Sequence, residues 1–246
     1  MKVPPLLVDA DSLIYLAAFA AELEIEWEPD QWSVTSDLVA AKAIINGKVL
    51  ALKERFKTTD IILALTDSKN WRHKYYPDYK ATRKKSRKPV GFAALKNWVK
   101  TEYNCVQKPW LEADDVCGWL STKPGTKKRI IVSVDKDMRT IPGWLYNPDK
   151  DDVPNLISQE EADYNHLYQS LVGDKTDNYQ GCPGIGPVAA RRILDEAGAN
   201  KWKAVVNAFV KQGLSAGDAY ANAAAARILR YGELDFKTQK LLWRPE

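Results

Sequence analysis

Acidic side chains follow three apolar stretches that read as buried strands. Asp9 and Asp11 come after "PLLV", Asp67 follows "IILALT", and Asp135 and Asp137 follow "RIIVSV". In an open parallel sheet the carboxyl ends of the strands meet at one edge, where ligands bind. We therefore expect these five carboxylates to lie together at that edge.

Two further acidic motifs come from segments that read as helical. In "LEADDV", Glu112 and Asp115 are three residues apart and should share one helix face, whereas Asp114 points elsewhere on an ideal helix. In "GDKTDN", Asp174 and Asp177 come directly before a glycine turn. Taken singly, each acid could be a turn former or a complement to a helix N-terminus.

A metal site is the economical explanation for so many converging acids. Carboxylates crowded in a low dielectric resist joint ionisation unless cations neutralise them. The chain has two histidines and three cysteines with no C-x-x-C pair, so oxygen ligands and Mg²⁺ or Mn²⁺ are favoured over zinc. Two such ions, about 4 Å apart, could activate a water and stabilise the leaving oxygen of a phosphodiester.

Two other features indicate a nucleic-acid ligand. Residues 69–88, "KNWRHKYYPDYKATRKKSRK", combine many Lys and Arg residues with four aromatic residues and a single acid, Asp78. Such a mixture suits a phosphate backbone and unstacked bases, although a solvated basic loop is the plainer alternative. The turn Gly184-Ile185-Gly186, followed by Pro187, can bring backbone N–H groups close to a phosphate at a helix start.

The order of apolar segments predicts an α/β fold, with a mostly parallel central sheet flanked by helices. Strand and helix patterns alternate to about residue 147, and the chain beyond reads as helical. We divide it into a core, 1–150, containing the basic segment 68–90, and a helical region, 151–246. The net charge is +4, with no leader pattern and no apolar run near the ~20 residues of a membrane span, so we expect a soluble, cytoplasmic protein without a membrane partner.

Together these motifs resemble the flap endonuclease and 5′→3′ exonuclease family, most nearly its podovirus-type phage branch. The segment "LTDSKNWRHKYYPDYKATRKKSRKPVG" is similar to the one leading into the family's helical arch. "LEADDV" and "VSVDKD" resemble its acidic helix and strand end, and "ARILRYGELDFKTQKLLWRP" resembles the closing segment of the phage branch. "GDKTDNYQGCPGIGPVAA" resembles its helix-three-turn-helix, placed here at about 173–197.

The resemblance implies a PIN-like, flap-endonuclease-like fold and specific residue roles. It implies two Mg²⁺ or Mn²⁺ ions and the metal ligands Asp9, Asp67, Glu112, Asp114, Asp115, Asp135, Asp137, Asp174 and Asp177. Lys80 and Arg83 would act at the scissile phosphate. DNA contacts would come from Arg72, Tyr79, Lys84, Lys85, Arg87, Lys88, Gly184, Ile185 and Gly186, the last three through a K⁺ ion. Many relatives have Gly after the first Asp, and "VDADS" here leaves the role of Asp11 open.

The resemblance also implies an activity. We expect a 5′→3′ exonuclease and flap endonuclease that cuts duplex DNA from 5′ ends, nicks or flaps, and RNA in RNA–DNA hybrids. The setting would be phage DNA replication and recombination in a bacterial host cytoplasm, with the enzyme a monomer that contacts replication proteins.

Three other functions were weighed. A PIN-type ribonuclease would share the acids but not need the glycine turn. A haloacid-dehalogenase-like phosphohydrolase would use the first Asp as nucleophile but not the basic segment. A non-catalytic DNA-binding protein would gain nothing from acids that repel its ligand.

Overall fold

The computed structural model describes residues 4–85, 87–125 and 128–245. Ten strands occur in this part of the chain: β1 Leu6–Asp9, β2 Glu22–Glu28, β3 Gln31–Ser36, β4 Ile61–Leu65, β5 Cys105–Gln107, β6 Ile130–Val132, β7 Gly143–Tyr146, β8 Asn155–Ile157, β9 Leu234–Asp235 and β10 Lys240–Leu241. Six of them form the central sheet in the order β5-β4-β1-β6-β7-β8. All neighbours are parallel except β7 and β8. The predicted mostly parallel sheet is confirmed.

Helices cover both faces of the sheet. They are α1 Ala10–Ala20, α2 Leu38–Phe56, α3 Phe92–Glu102, α4 Ala113–Ser121, α5 Gln159–Val172, α6 Pro187–Glu196, α7 Lys201–Lys211 and α8 Ala216–Ala226. Successive strand residues point to opposite faces, so in β1 Leu6 and Val8 pack with α1, α2 and α3, while Leu7 packs with α4. A separate core around Phe209 joins α5, α6 and α7.

Capping residues set several helix starts where the sequence places them. The Asp37 side chain accepts hydrogen bonds from the second and third residues of α2. The Ser158 hydroxyl accepts from Glu161 N and caps the start of α5. Pro187 occupies the first position of α6, as expected for a residue without an N–H.

Helix α8 ends earlier than its alanine-rich sequence suggests. After Ala226 the backbone of Arg227 is extended, and its carbonyl accepts a hydrogen bond from the Arg72 side chain at 2.6 Å. Two residues later, Leu229 N donates to the Asp115 carboxylate at 3.0 Å. Tertiary hydrogen bonds therefore outweigh helix propensity over "RIL".

Several elements differ from the sequence-based expectation. The stretch after α1 forms an exposed two-stranded hairpin, β2–β3, which the order of apolar segments did not indicate. The basic segment contains two short 3₁₀ turns, Trp71–Lys74 and Ala81–Lys85. Strand β8 lies beyond residue 150 yet extends the central sheet, and the domain division there remains a prediction. No helix in the described ranges is both long and apolar enough to cross a membrane.

Candidate active site

The carboxyl ends of the parallel strands open into one large cleft. Its lining includes Asp9 at the end of β1, Asp67 after β4, and the loop after β6. The start of α1, the start of α4 with its N-cap, and the segment after α5 supply the remaining acids. The carboxylates lining the cleft are Asp9, Asp11, Asp67, Glu112, Asp114, Asp135, Asp137, Asp174 and Asp177. The predicted convergence at the sheet edge is therefore observed for these side chains.

One group of carboxylates surrounds Asp9 and Asp114. Asp9 accepts hydrogen bonds from Ser12 Oγ at 2.7 Å and Ser133 Oγ at 3.3 Å. Burial raises its pKa despite these bonds. Burial also raises the pKa of Asp114 well above its usual value, and the charges of Asp9 and Asp135 add to the effect. These acids lie close enough to oppose one another's ionisation.

A second group surrounds Asp137. Burial raises the pKa of Asp137 to about 7, and the neighbouring charge of Asp135 adds to the shift, followed by Asp174 and Asp177. Gln169 Nε2 donates to Asp137 Oδ1 at 2.6 Å and fixes its orientation. Asp135 raises the pKa of carboxylates in both groups, so the two groups interact electrostatically through Asp135.

The start of α4 reverses the expected roles of two neighbouring aspartates. Glu112 is the N-cap, with an extended backbone, and exchanges capping hydrogen bonds with Asp115. The two side chains are neighbours, as their spacing predicts, and Arg72 Nη1 donates to both, but of the two only Glu112 lines the cleft. Asp114 lines the cleft, whereas Asp115 is completely buried away from it.

The assignment of Asp115 as a metal ligand does not fit its position. Its two oxygens accept hydrogen bonds from Arg72 Nη1 and Nη2, each at 2.7 Å. Trp71 Nε1, Glu112 N and Leu229 N also donate to them. Five donors thus occupy this carboxylate, which is a structural ion-pair partner.

Arg72 was expected to contact DNA, and the structure contradicts this. Its side chain is 2% exposed, pairs with Asp115 and Glu112, and donates to the carbonyls of Ala225 and Arg227. Burial lowers the pKa of Arg72, but the surrounding groups, foremost Asp115, outweigh burial and leave it raised. With its donors held inside the protein, Arg72 ties three distant segments together.

Tyr79 was also expected to contact DNA, and its burial does not fit that role. The residue is only 3% exposed, so its ring offers no face to a base. Its hydroxyl lies 2.8 Å from Asp177 Oδ2 and 3.0 Å from Glu112 Oε2. Tyr79 therefore positions two cleft carboxylates.

Lys80 and Arg83 face the cleft beside the same carboxylates. Lys80 Nζ lies 2.6 Å from Glu112 Oε1 and 3.6 Å from Asp177 Oδ2, and Arg83 Nη2 lies 2.6 Å from Asp177 Oδ1. Burial lowers the pKa of Lys80, but the Glu112 and Asp177 charges outweigh it and leave it raised. Lys80 therefore stays cationic at neutral pH, next to the acids.

The remaining basic residues lie farther along the cleft. Arg87 forms two hydrogen bonds to Glu22, at 2.6 and 2.9 Å, which lower the pKa of Glu22 to about 2. Lys88 lies 5.6 Å from the centre of the Phe92 ring. The side chains of Lys84 and Lys85 lie outside the described part of the structure, and their roles remain predictions.

The glycine turn is exposed and continuous with the acidic segment. Gly184 has a left-handed backbone, with φ +74°, and Gly186 is the N-cap of α6. A Cβ added at either position would meet nothing within 4 Å, so a ligand has room to approach this backbone. Ile185 N is already bonded to Cys182 O.

Some cleft residues carried no clear signal in the sequence. Lys96, on α3, lies 3.4 Å from Asp11 Oδ1, and Thr66 N donates to Asp11 Oδ2. Gln169 reaches Asp137 across 32 residues of sequence. Asp67 accepts from Trp110 N; burial raises the pKa of Asp67, but backbone hydrogen bonds outweigh it and leave it lowered. These contacts form between segments that are distant in sequence, so only the tertiary structure shows them.

The donor set fits hard divalent cations, because it consists of carboxylate oxygens whose charges oppose one another. Within residues 4–85, 87–125 and 128–245, no three of these side chains are drawn together into a closed ligand set. Tyr79, Lys80 and Arg83 instead hold Glu112 and Asp177. The raised pKa values of Asp9, Asp114 and Asp137 are those that a bound cation would reverse.

Comparison with known proteins shows the family to which the chain is related. Residues 4–143 match the family model described as the 5′-3′ exonuclease, N-terminal resolvase-like domain. The chain is 32% identical over 285 residues to the exonuclease of Escherichia phage T7, covering 98% of this chain and 93% of that protein.

Solved structures share the fold. The T5 D15 protein co-crystallised with metal ions aligns with a TM-score of 0.67 at 15% identity, covering 89% of this chain and 88% of that one. A T5 D15 flap endonuclease in a pseudo-enzyme-product complex with DNA and metal ions aligns with a TM-score of 0.63 at 14% identity, covering 89% and 87%.

Proposed function

Because the chain belongs to the 5′-3′ exonuclease family, we propose that it hydrolyses phosphodiester bonds of DNA from 5′ ends and at 5′ flaps. The observation that carries this proposal is the cleft itself, where two groups of carboxylates meet Lys80 and Arg83. Acids alone would repel a phosphate, and cations alone would bind it without cutting. Their juxtaposition suits a nuclease.

Duplex DNA and the cleaved bond would be held by different parts of one segment. The backbone at Gly184 and Gly186 is open to a duplex phosphate, and α6 begins there with its N-terminus. The same segment starts with Asp174 and Asp177, which line the cleft. A duplex gripped at the turn would therefore have its 5′ end directed to the carboxylates. We also propose that K⁺ bridges the turn and the phosphate.

The metal would be a pair of divalent ions, Mg²⁺ or Mn²⁺. Asp9, Glu112, Asp114 and Asp135 would hold one, and Asp135, Asp137, Asp174 and Asp177 the other, since Asp135 belongs to both groups. Asp67 remains a proposed ligand. When bound, the ions supply an activated water and charge stabilisation at the leaving oxygen.

Lys80 and Arg83 would contact the scissile phosphate from beside Glu112 and Asp177, the carboxylates with which they pair. Lys80 is held by its backbone as well as its charge, since its N–H donates to Asp177 O at 2.7 Å. Its left-handed backbone, φ +55°, directs the side chain to Glu112 and Asp177. This placement is rigid, as transition-state stabilisation requires.

One assay tests the proposal. Duplexes labelled at the 5′ end, in blunt, nicked, flapped and RNA–DNA forms, are incubated with Mg²⁺, with Mn²⁺, and with excess EDTA. We expect short 5′ products from nicked and flapped DNA only when metal is present. Cleavage in EDTA, or release of nucleotides from 3′ ends, would refute the proposal. A preference for single-stranded RNA would favour the PIN-type ribonuclease.

The same assay addresses finer features of the proposal. We propose that RNA in a hybrid is cut, since the turn contacts backbone rather than base edges. We propose that the enzyme acts as a monomer in a bacterial host cytoplasm, with replication proteins as further partners. Cleavage of an RNA–DNA hybrid alongside duplex DNA checks the first point. Light scattering during turnover checks that the enzyme is a monomer.

A further inference from the structure

The hairpin β2–β3 is set apart from the nuclease chemistry. In the part of the chain that the structure describes, neither of its strands joins another sheet. Residues 22–36 contain five acidic residues and no Lys or Arg, although the chain as a whole carries a net charge of +4. This concentration of negative charge is the opposite of what a DNA-binding surface needs.

The two faces of strand β2 differ in chemistry, whereas β3 places Trp32 opposite Glu26 and Val34 opposite Glu24, on the glutamate face. Along β2, glutamates alternate with Leu23, Ile25 and Trp27, so the glutamates lie on one face and the apolar residues on the other. Trp27 Nε1 donates to Ser33 Oγ, and Ser33 lies opposite Ile25, which places Trp27 on the apolar face despite the nearby bulge. Leu23 is 53% and Trp27 69% exposed. No described element covers this face.

We infer that β2 is a docking edge for a basic, extended segment of another protein, in which Lys or Arg alternates with apolar residues. Opposed residues of paired strands share a face, so such a segment places its cations beside Glu24 and Glu26 and its apolar side chains beside Leu23, Ile25 and Trp27. Backbone hydrogen bonds to the free edge of β2 add affinity, as in other strand-addition complexes.

The charge pattern argues against other occupants. The β2 edge of a second copy would bring glutamates against glutamates. A phosphate backbone would meet the same repulsion. The acids could simply protect an exposed edge from aggregation, and the test below makes that its opposing outcome.

The hairpin also lies beside the substrate path. Glu22, at its base, accepts hydrogen bonds from Arg87 and from Val90 N at 2.6 Å. Arg87 lines the cleft. A partner segment on β2 is therefore held next to the basic end of the cleft without occupying the carboxylates.

A peptide titration tests the docking edge. The probe is a fluorescein-labelled ten-residue peptide of alternating Lys and Val, and the comparison peptide has five Lys followed by five Val. Fluorescence anisotropy is measured with the full chain in EDTA, without DNA. We expect the alternating peptide to bind at least about tenfold more tightly than the block peptide, because only alternation matches both faces of β2.

Two double variants separate specific docking from general attraction. Glu24→Lys with Glu26→Lys reverses the β2 face, and Glu102→Lys with Glu196→Lys makes the same charge change at exposed sites elsewhere. We expect the first to weaken binding of the alternating peptide about tenfold or more and the second to leave it within twofold. Circular dichroism verifies that both are folded.

Three results would overturn the inference. They are equal binding of the two peptides, equal loss in both double variants, and no binding of the alternating peptide to the unmodified chain. The last would leave the acids as protection of a free edge only. Since the titration involves neither DNA nor metal, its outcome is independent of the nuclease assay.

Discussion

Removing the Arg72 guanidinium should destabilise the whole protein rather than weaken DNA binding. In Arg72→Met, the Asp115 carboxylate would remain completely buried without its cation, and two backbone carbonyls would lose their donors. Breaking a buried pair in this way costs about 3–5 kcal/mol. That is a large part of the about 5–15 kcal/mol that stabilises a typical domain.

The partner variant should be costly for a different reason. Two donors point at Asp115 Oδ1 and three at Oδ2. In Asp115→Asn the new NH₂ group must face at least two of these donors, whichever way the amide is turned. We expect a loss of several kcal/mol here too, and a double variant less unstable than the sum of the two singles, because each single leaves the other charge unpaired.

Urea unfolding at neutral pH in EDTA measures these effects, with Arg83→Met as the matched control. Arg83 belongs to the same basic segment and also pairs with an aspartate, but its side chain is 52% exposed. Its loss should cost less than about 1 kcal/mol, whereas Arg72→Met should lower the urea midpoint by about 1 M or more. The reasoning is refuted if Arg72→Met unfolds within about 1 kcal/mol of the unmodified protein while its DNA affinity falls.

Three further predictions concern the cleft and the turn. Lys80→Ala should lower the single-turnover rate at saturating DNA by at least about a hundredfold with little change in DNA affinity. Arg87→Ala should mainly raise the half-saturating DNA concentration and reduce by about 0.9 the slope of log binding constant against log salt concentration. Matching effects in the two variants would show that Lys80 is not catalytic. Gly186→Val should weaken binding of duplex DNA more than binding of single-stranded DNA. Its melting temperature should not change, because φ −89° suits valine and nothing lies near the new side chain. Equal loss of affinity for both DNAs would count against a duplex anchor at this turn. In EDTA the free energy of unfolding should fall as pH rises from about 4 to 7, because the pKa of Asp137 is about 7 in the folded protein and near 3.8 in the unfolded chain, so only the folded form still binds the proton in that range. Asp137→Asn should make the free energy of unfolding less dependent on pH. A pH dependence unchanged by that substitution would show that other groups determine it.

The sequence predicts the sheet edge well, because its signals are local there. Strands β1, β4 and β6 are apolar runs with an acid at or shortly after their ends, and parallel pairing of β1 with β6 brings Asp9 and Asp135 to one side. The resemblance implied that Lys80 and Arg83 act at the scissile phosphate; both line the cleft and contact Asp177, and their role at a phosphate remains a prediction.

The roles inside "LEADDV" depended on a detail that spacing does not carry. Ideal helical geometry groups Glu112 with Asp115, and the two do exchange capping hydrogen bonds, but the cleft is lined by Glu112 and Asp114 and not by Asp115. Asp115 is claimed by an arginine 43 residues earlier in the chain. Arg72 and Tyr79 similarly look like surface groups in a basic segment, and only tertiary packing buries them.

The hairpin β2–β3 was missed for a related reason. Its alternating Glu and apolar residues follow directly on an apolar helix, and that helix pattern masks the change to period two. The turn at Asp30, with φ +65°, is the local feature that reverses the chain.

The hydrogen bonds that link Arg72 and Asp115 to the backbone at the end of α8 and after it also bear on when the cleft forms during synthesis. Arg72 reaches Ala225 across 153 residues, and Asp115 reaches Leu229 across 114. A ribosome delivers the acidic helix and the basic segment long before residues 225–229 emerge, and until then the buried pair has no such backbone partners. The growing chain therefore contains its acidic and basic residues before the hydrogen bonds from Arg72 and to Asp115 that order them can form. We expect the cleft to assemble late in synthesis, after helix α8 and the residues that follow it have emerged.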